Sequence, residues 1–262
     1  MSVYLIQALS GLAHAASLFL VASGLSIIFG VTRIVNFAHG SFYMVGAYAA
    51  YSFSGFLMAT LGAPLGFWGA ILLSAVAVGL VGVLMEVTVL RRIYRAPELF
   101  QLLATFGVVL VVQDATLWIW GRDDLFSSRA PGLKGTVEIL GERCPQYHLF
   151  LIVLGPLVLG LLWLLFNRTR WGTLVRAATE DREMTGALGV NQRWLFTGVV
   201  FLGSMLAGLG GALQIPKEAV NLQMDINIIA EAFVVVVIGG MGSVTGAFLA
   251  ALLVGEISAL GI

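Results

Sequence analysis

A chain of 262 residues that is 59% hydrophobic and 11% charged has too few polar side chains to cover a body in water, where about a quarter of residues are normally charged. Its 14 basic and 14 acidic residues cancel, so it has neither the net charge that sustains disorder nor the basic stripe that binds nucleic acid. Cys144 is the single cysteine, which excludes an intrachain disulfide and the cysteine clusters of zinc or iron–sulfur sites.

A helix needs about 20 apolar residues to cross roughly 30 Å of hydrocarbon. In chain order the sequence offers Ala8 to Gly30, Ser41 to Thr60, Phe67 to Leu90, Leu99 to Trp120, Leu149 to Phe166 and Trp194 to Ile215. The third and fourth hold one acid each, Glu86 and Asp114; the others carry no Asp, Glu, Lys or Arg. The tail differs, because Gly239-Gly240-Met241-Gly242-Ser243 separates Ile228 to Ile238 from Gly246 to Leu260, and neither piece crosses comfortably alone. A broken helix or re-entrant pair is predicted there, a structure that survives at membrane depth only where protein or a wet cavity covers it. The expected fold is an all-α integral membrane protein. It is a polytopic helical bundle of about six full spans plus the glycine-broken pair, in one transmembrane domain over residues 1–262.

The basic residues orient it. Arg91, Arg92 and Arg95, with Arg168, Arg170, Arg176, Arg182 and Arg193 two spans later, fall on one side; Arg122, Arg129, Lys134, Arg143 and Lys217 fall on the other. The first side holds the tighter clusters and is read as cytoplasmic, which puts the N-terminus outside, loop 121–148 outside and loop 167–193 inside. Thr32 to Gly40 then counts as the first cytoplasmic turn. No Lys or Arg precedes Arg33, so no signal-peptide n-region is expected.

Three segments could carry chemistry. Val31 to Tyr48 sets Arg33, Asn36, His39 and Ser41 with Gly30 and Gly40 between two charge-free spans, groups that lipid penalises unless they face protein, water or solute. A pathway element and a plain turn share this composition. The cluster Gly239, Gly240, Gly242 and Gly246, with Glu231 ahead and Glu256 behind, suits tight helix packing or a solute site, and it lacks the Lys-Ser or Lys-Thr of a phosphate loop. Gly40-Ser41 and Gly242-Ser243 hint at an internal repeat. In the basic loop, Thr179 to Val190 reads as a short helix that Thr179 caps, Glu180, Asp181 and Glu183 favour through the dipole, and Gly189 closes. Its Met184, Ala187, Leu188 and Val190 make an apolar face that must be covered, by headgroups or by a docked partner.

Of the single ionisable residues, Glu86 lies near Arg91 and can snorkel to the interface in a structural role. Asp114 beside Gln113 suits a polar pathway, and His14 suits a hydrogen-bonded packing position. No metal spacing or catalytic constellation supports an enzyme.

Arg33-Ile-Val-Asn-Phe-Ala-His-Gly-Ser-Phe-Tyr-Met-Val-Gly-Ala-Tyr48, then Gly172-Thr-Leu-Val-Arg-Ala-Ala-Thr-Glu-Asp181 through Ala187-Leu-Gly-Val190, then Val237-Ile-Gly-Gly-Met-Gly-Ser-Val-Thr-Gly-Ala247 occur in that order. This closely resembles the permease subunits of branched-chain amino acid ABC transporters, a family with relatives that carry urea or aromatic acids. The resemblance covers nearly the whole chain. It implies a bacterial inner-membrane protein, multi-pass, that pairs with a homologous permease, two ATPase subunits and an extracytoplasmic solute-binding protein. ATP and Mg would be bound by the ATPases, with no cofactor in this chain. Glu180, Asp181, Arg182, Met184, Ala187, Leu188, Gly189 and Val190 would form the coupling helix. Asn36, His39, Gly40, Ser41, Gly239, Gly240, Gly242 and Ser243 would mark the helix breaks that flank the pathway, to which the residue reading adds Asp114. Family members usually continue into one more span and a cytoplasmic tail. The alternative from another class is an ATP-independent channel or ion-coupled carrier.

Overall fold

The computed structural model describes residues 2–139 and 142–261, so residues 140–141 of loop 121–148, and the side chain of Arg182, lie outside the described set. The chain is a polytopic helical membrane protein. Among the described residues, six helical spans are long and apolar enough to cross a membrane: Tyr4–Thr32, Ala38–Leu61, Ala63–Ile93, Glu98–Trp120, Gln146–Arg168 and Gln192–Ala212. The helices are α1 (Ser2–Thr32), α2 (Ala38–Leu61), α3 (Ala63–Met85), a π-helical turn (Glu86–Leu90), α4 (Arg91–Ile93), α5 (Glu98–Trp120), α6 (Gln146–Arg168), α7 (Arg170–Glu180), α8 (Arg182–Ala187), α9 (Gln192–Ala212), α10 (Met224–Gly239) and α11 (Val244–Leu260). Two short antiparallel strands, β1 (Thr136–Ile139) and β2 (Glu142–Pro145), pair in the loop before α6, a small hairpin that the helix-sized periodicities did not announce.

The centre of the bundle is α1, whose most apolar window is 89% buried, against 17% for α5 and 22% for α6 at the periphery. With no hydrophobic drive between helices in lipid, close backbone approach holds such a bundle together. Glycines mark several of the crossings. Gly24 of α1 meets Gly203 of α9, Gly46 of α2 meets Gly208 of α9, and Gly11 of α1 meets Gly255 of α11. These contacts also fix direction: Gly11 lies by Gly255 and Ala259 while Gly30 lies by Gly242, so α1 and α11 run antiparallel.

The glycine-broken tail is a pair of packed helices, α10 of 16 residues and α11 of 17. They are joined by Gly240 and Gly242 at φ 88° and 90°, left-handed values that L side chains seldom adopt. Ser243 caps α11 by accepting from the Gly246 N–H at 3.0 Å, and the Gly242 N–H donates to Ser26 Oγ at 3.1 Å, pinning the tip to the last third of α1.

The segment counted as the first cytoplasmic turn after α1 folds back into the bundle, with Arg33 left exposed. The break covers residues 33–37, with Arg33 at φ 57°, while His39, Gly40 and Ser41 belong to the first turn of α2. Ile34 and Asn36 are buried, and His39 Nε2 lies 2.9 Å from the Val21 carbonyl, a position about 16 Å back along α1 from its end. Backbone freed from a helix at this depth needs protein cover, and the fold-back supplies it. The two Gly-Ser pairs are not local equivalents, since Gly40-Ser41 is helical and Gly242-Ser243 is a turn and cap.

Candidate functional site

One buried polar cluster lies where α2, α5 and α10 meet. Asp225, the second residue of α10, is 1% exposed; its carboxylate accepts from Gln113 Nε2 at 2.9 Å and from Ser41 Oγ at 3.4 Å, and also from the Ile226 N–H at 2.7 Å. A Cβ on Gly40 would strike the Asp225 carbonyl, so the missing side chain is what lets α10 settle on α2. Gln113 sits seven residues, about 10 Å, from the end of α5 at Trp120, whose indole donates to Ser52 Oγ at 2.7 Å. At the break, Asn36 Oδ1 accepts from the Ala38 N–H at 3.1 Å, and Asn36 Nδ2 and His39 Nδ1 are buried without a partner.

Asp114 does not join this cluster. Neighbouring helical residues point about 100° apart, and Gln113 takes the inward direction while Asp114 faces out. Asp225 was missed in the sequence; an acid within Asn221 to Asn227, at the mouth of an apolar run, was the available signal. His14 does find a partner, Glu231 of α10 at 2.9 Å, and both side chains stay partly exposed at 30% and 39%.

Glu86 does not snorkel. Its side chain is 0% exposed and Arg91 comes to it, donating from Nε at 3.1 Å and Nη2 at 2.9 Å, with Tyr94 OH at 3.2 Å and Thr197 Oγ1 at 2.9 Å completing the shell. The π turn makes this possible: its i→i+5 pitch, closed by the Arg91 N–H on the Glu86 carbonyl, stacks two residues that an α-helix would splay apart.

The basic loop holds two helices rather than one. Thr169 caps α7 by accepting from the Gly172 N–H at 3.0 Å, and Gly172, Val175 and Ala178 form its buried face. Thr179 is inside α7 with its hydroxyl on the Val175 carbonyl, and Glu180 ends that helix. The cap of α8 is Asp181, extended at φ −142° and ψ 105°, whose carboxylate accepts from the Met184 N–H at 2.9 Å. A short ionised carboxylate satisfies the free N–H groups of a helix start better than Thr179 could from within a turn. Gly189 at φ 83° closes α8 as expected, leaving Met184 and Leu188 exposed, the latter at 77%. Between α7, the end of α6 and the hairpin tip lies a cavity of about 360 Å³ lined by Gly30, Asn167, Arg176, Glu180, Gly242 and Ser243.

At the opposite end Tyr147 donates to the Leu213 carbonyl, and Leu125 pairs with Val220. Burial pushes the Lys217 ammonium below the ordinary lysine value there, with Glu218 opposing.

A crossing bundle with buried polar contacts, a glycine-broken helix pair and an exposed helical module at its basic end defines a multi-pass membrane transport protein. Residues 7–262 match the family of branched-chain amino acid transport system permease components, and the chain belongs to that family. It is 29% identical to the high-affinity branched-chain amino acid transport system permease protein BraD of Pseudomonas aeruginosa, over 98% of this chain and 86% of that one. The permease LivH of Escherichia coli strain K12 is 26% identical over 98% of this chain and 85% of its own length. The fructose import permease FrcC of Rhizobium meliloti is 34% identical over 41% of this chain and 32% of its own. No solved structure gives a significant match.

Proposed function

We propose that this chain, as a single domain, is the permease of an ATP-driven importer that carries branched-chain amino acids across a bacterial inner membrane. It works with a homologous permease, two ATPase subunits that bind ATP and Mg, and an extracytoplasmic binding protein. The observation that carries the reading is the α7–α8 module. Met184 stands exposed on a helix of six residues and Leu188 at its C-terminal cap, a unit too small to fold alone, at the end of the bundle that carries Arg91, Arg168 and Arg193. That end is cytoplasmic in this reading and the N-terminus is outside. Residues 180–190 dock on an ATPase; α7 and the cavity above it link that contact to the hairpin tip at Gly239, Gly240, Gly242 and Ser243. The breaks around Asn36 to Ser41 and at the tip supply the two-state elements of alternating access. Asp225 and Gln113 replace Asp114 as the polar contact of α5. The names of BraD and LivH support the amino acid over urea or aromatic acids.

The test is uptake into proteoliposomes holding this chain with its co-purifying subunits, binding protein outside and ATP inside, across leucine, isoleucine, valine, urea, benzoate and fructose. Uptake of the aliphatic amino acids that needs both ATP and binding protein is the expected result. Flux that ignores ATP and follows an ion gradient would replace the importer with a carrier.

A further inference from the structure

The outer surfaces of the bundle are not alike. The exposed side chains along the middle of α3, among them Leu72, Val76 and Leu80, and of α6, among them Val153 and Leu157, are hydrocarbon, as a lipid-facing surface requires. The outer face of α10 is different. Asn227, Glu231, Val234 and Ile238 recur at helical spacing on one stripe, and its outer half carries an amide and a carboxylate. Glu231 is the eighth residue of the 16-residue α10, and His14 lies near the middle of α1, so their 2.9 Å pair stands at membrane depth. An ionisable pair about one-third exposed at that depth cannot face lipid at acceptable cost, whereas the Glu86 carboxylate is fully enclosed. One turn further along, the same stripe becomes aliphatic, with Val234 47% and Ile238 55% exposed.

We propose that the His14–Glu231 pair and the Val234–Ile238 surface beside it form a solute station in the translocation pathway, built for a zwitterion with an aliphatic side chain. The Glu231 carboxylate accepts from the solute ammonium, His14 Nε2 donates to the solute carboxylate, and the side chain lies over Val234 and Ile238. Solute insertion exchanges one polar contact for two, so the station is occupied without leaving either group unpaired, and its two-point contact is weak enough to release. Urea offers no charge to this pair and benzoate only one. The inference rests on the importer reading above and adds the place and chemistry of solute contact.

Two measurements on the complete complex test it. With Cys144 replaced by Ser, Ala230→Cys, exposed one helical turn before Val234 on the same face, is expected to react with a membrane-impermeant cationic thiosulfonate, while Leu80→Cys on α3 is not. Failure of Ala230→Cys to react would mean that lipid or a second subunit seals this face, and the station would be lost. In proteoliposomes with saturating leucine-loaded binding protein, Glu231→Gln is expected to lower leucine carried per ATP hydrolysed at least tenfold. A merely structural defect lowers transport and hydrolysis together, and an unchanged ratio overturns the station. If Glu231→Gln fails to assemble, His14→Gln is read by the same ratio. Wild-type complex without ATP-dependent uptake would instead refute the importer itself.

Discussion

Arg91→Met is the substitution whose cost the structure states most directly. It strips two of the four hydrogen bonds from a Glu86 carboxylate that has no exposure, leaving Tyr94 and Thr197 to hold a buried charge. Removing one partner of a buried pair in this way costs about 3–5 kcal/mol. Glu86→Gln is milder, because the amide keeps the shape and Arg91, with a third of its side chain exposed, can turn to water; the loss of charge-assisted bonds is about 1.5–3 kcal/mol. The double variant should be less damaged than the sum, since the orphaned charge is gone. Unfolding in mixed micelles by titrated dodecyl sulfate, followed by circular dichroism, reads all three free energies in one cycle. Equal losses below about 1 kcal/mol for both single variants would place the pair in solvent-like surroundings, and the account of the π turn as the device that encloses Glu86 would be wrong.

Leu188→Asp, at the exposed apolar cap that follows α8, should abolish co-purification of the ATPase while leaving the melting of the isolated permease unchanged. Asp181→Ala removes the α8 cap and should cost about 1 kcal/mol locally, visible as faster amide exchange at Met184 in the permease alone. Gly46→Leu forces side-chain volume onto the Gly208 backbone, where even a Cβ would lie 2.6 Å from the Cα, and should destabilise the bundle by about 3 kcal/mol or prevent its accumulation. Burial depresses Lys217, so its charged form is the costly one in the fold; stability should rise with pH through the folded value toward about 10.4, and Lys217→Met should flatten that rise.

What the sequence determined by itself was whatever depends on composition along one segment. Apolar length located the six spans, and paired glycines between two apolar runs located the break between α10 and α11, because lipid permits few other uses of such stretches. Gly189 closed α8 where a left-handed residue was needed. Tertiary structure decided everything that depends on direction around a helix or on a distant partner. Gln113 rather than Asp114 turns inward because α10, more than a hundred residues away in the chain, presents Asp225 there. Glu86 is enclosed rather than snorkelling because a π turn rotates Arg91 over it and α9 adds Thr197. The break after α1 is interior because His39 finds the Val21 carbonyl across the bundle. Periodicity records which residues share a face, and only the packing of the other helices says what that face meets.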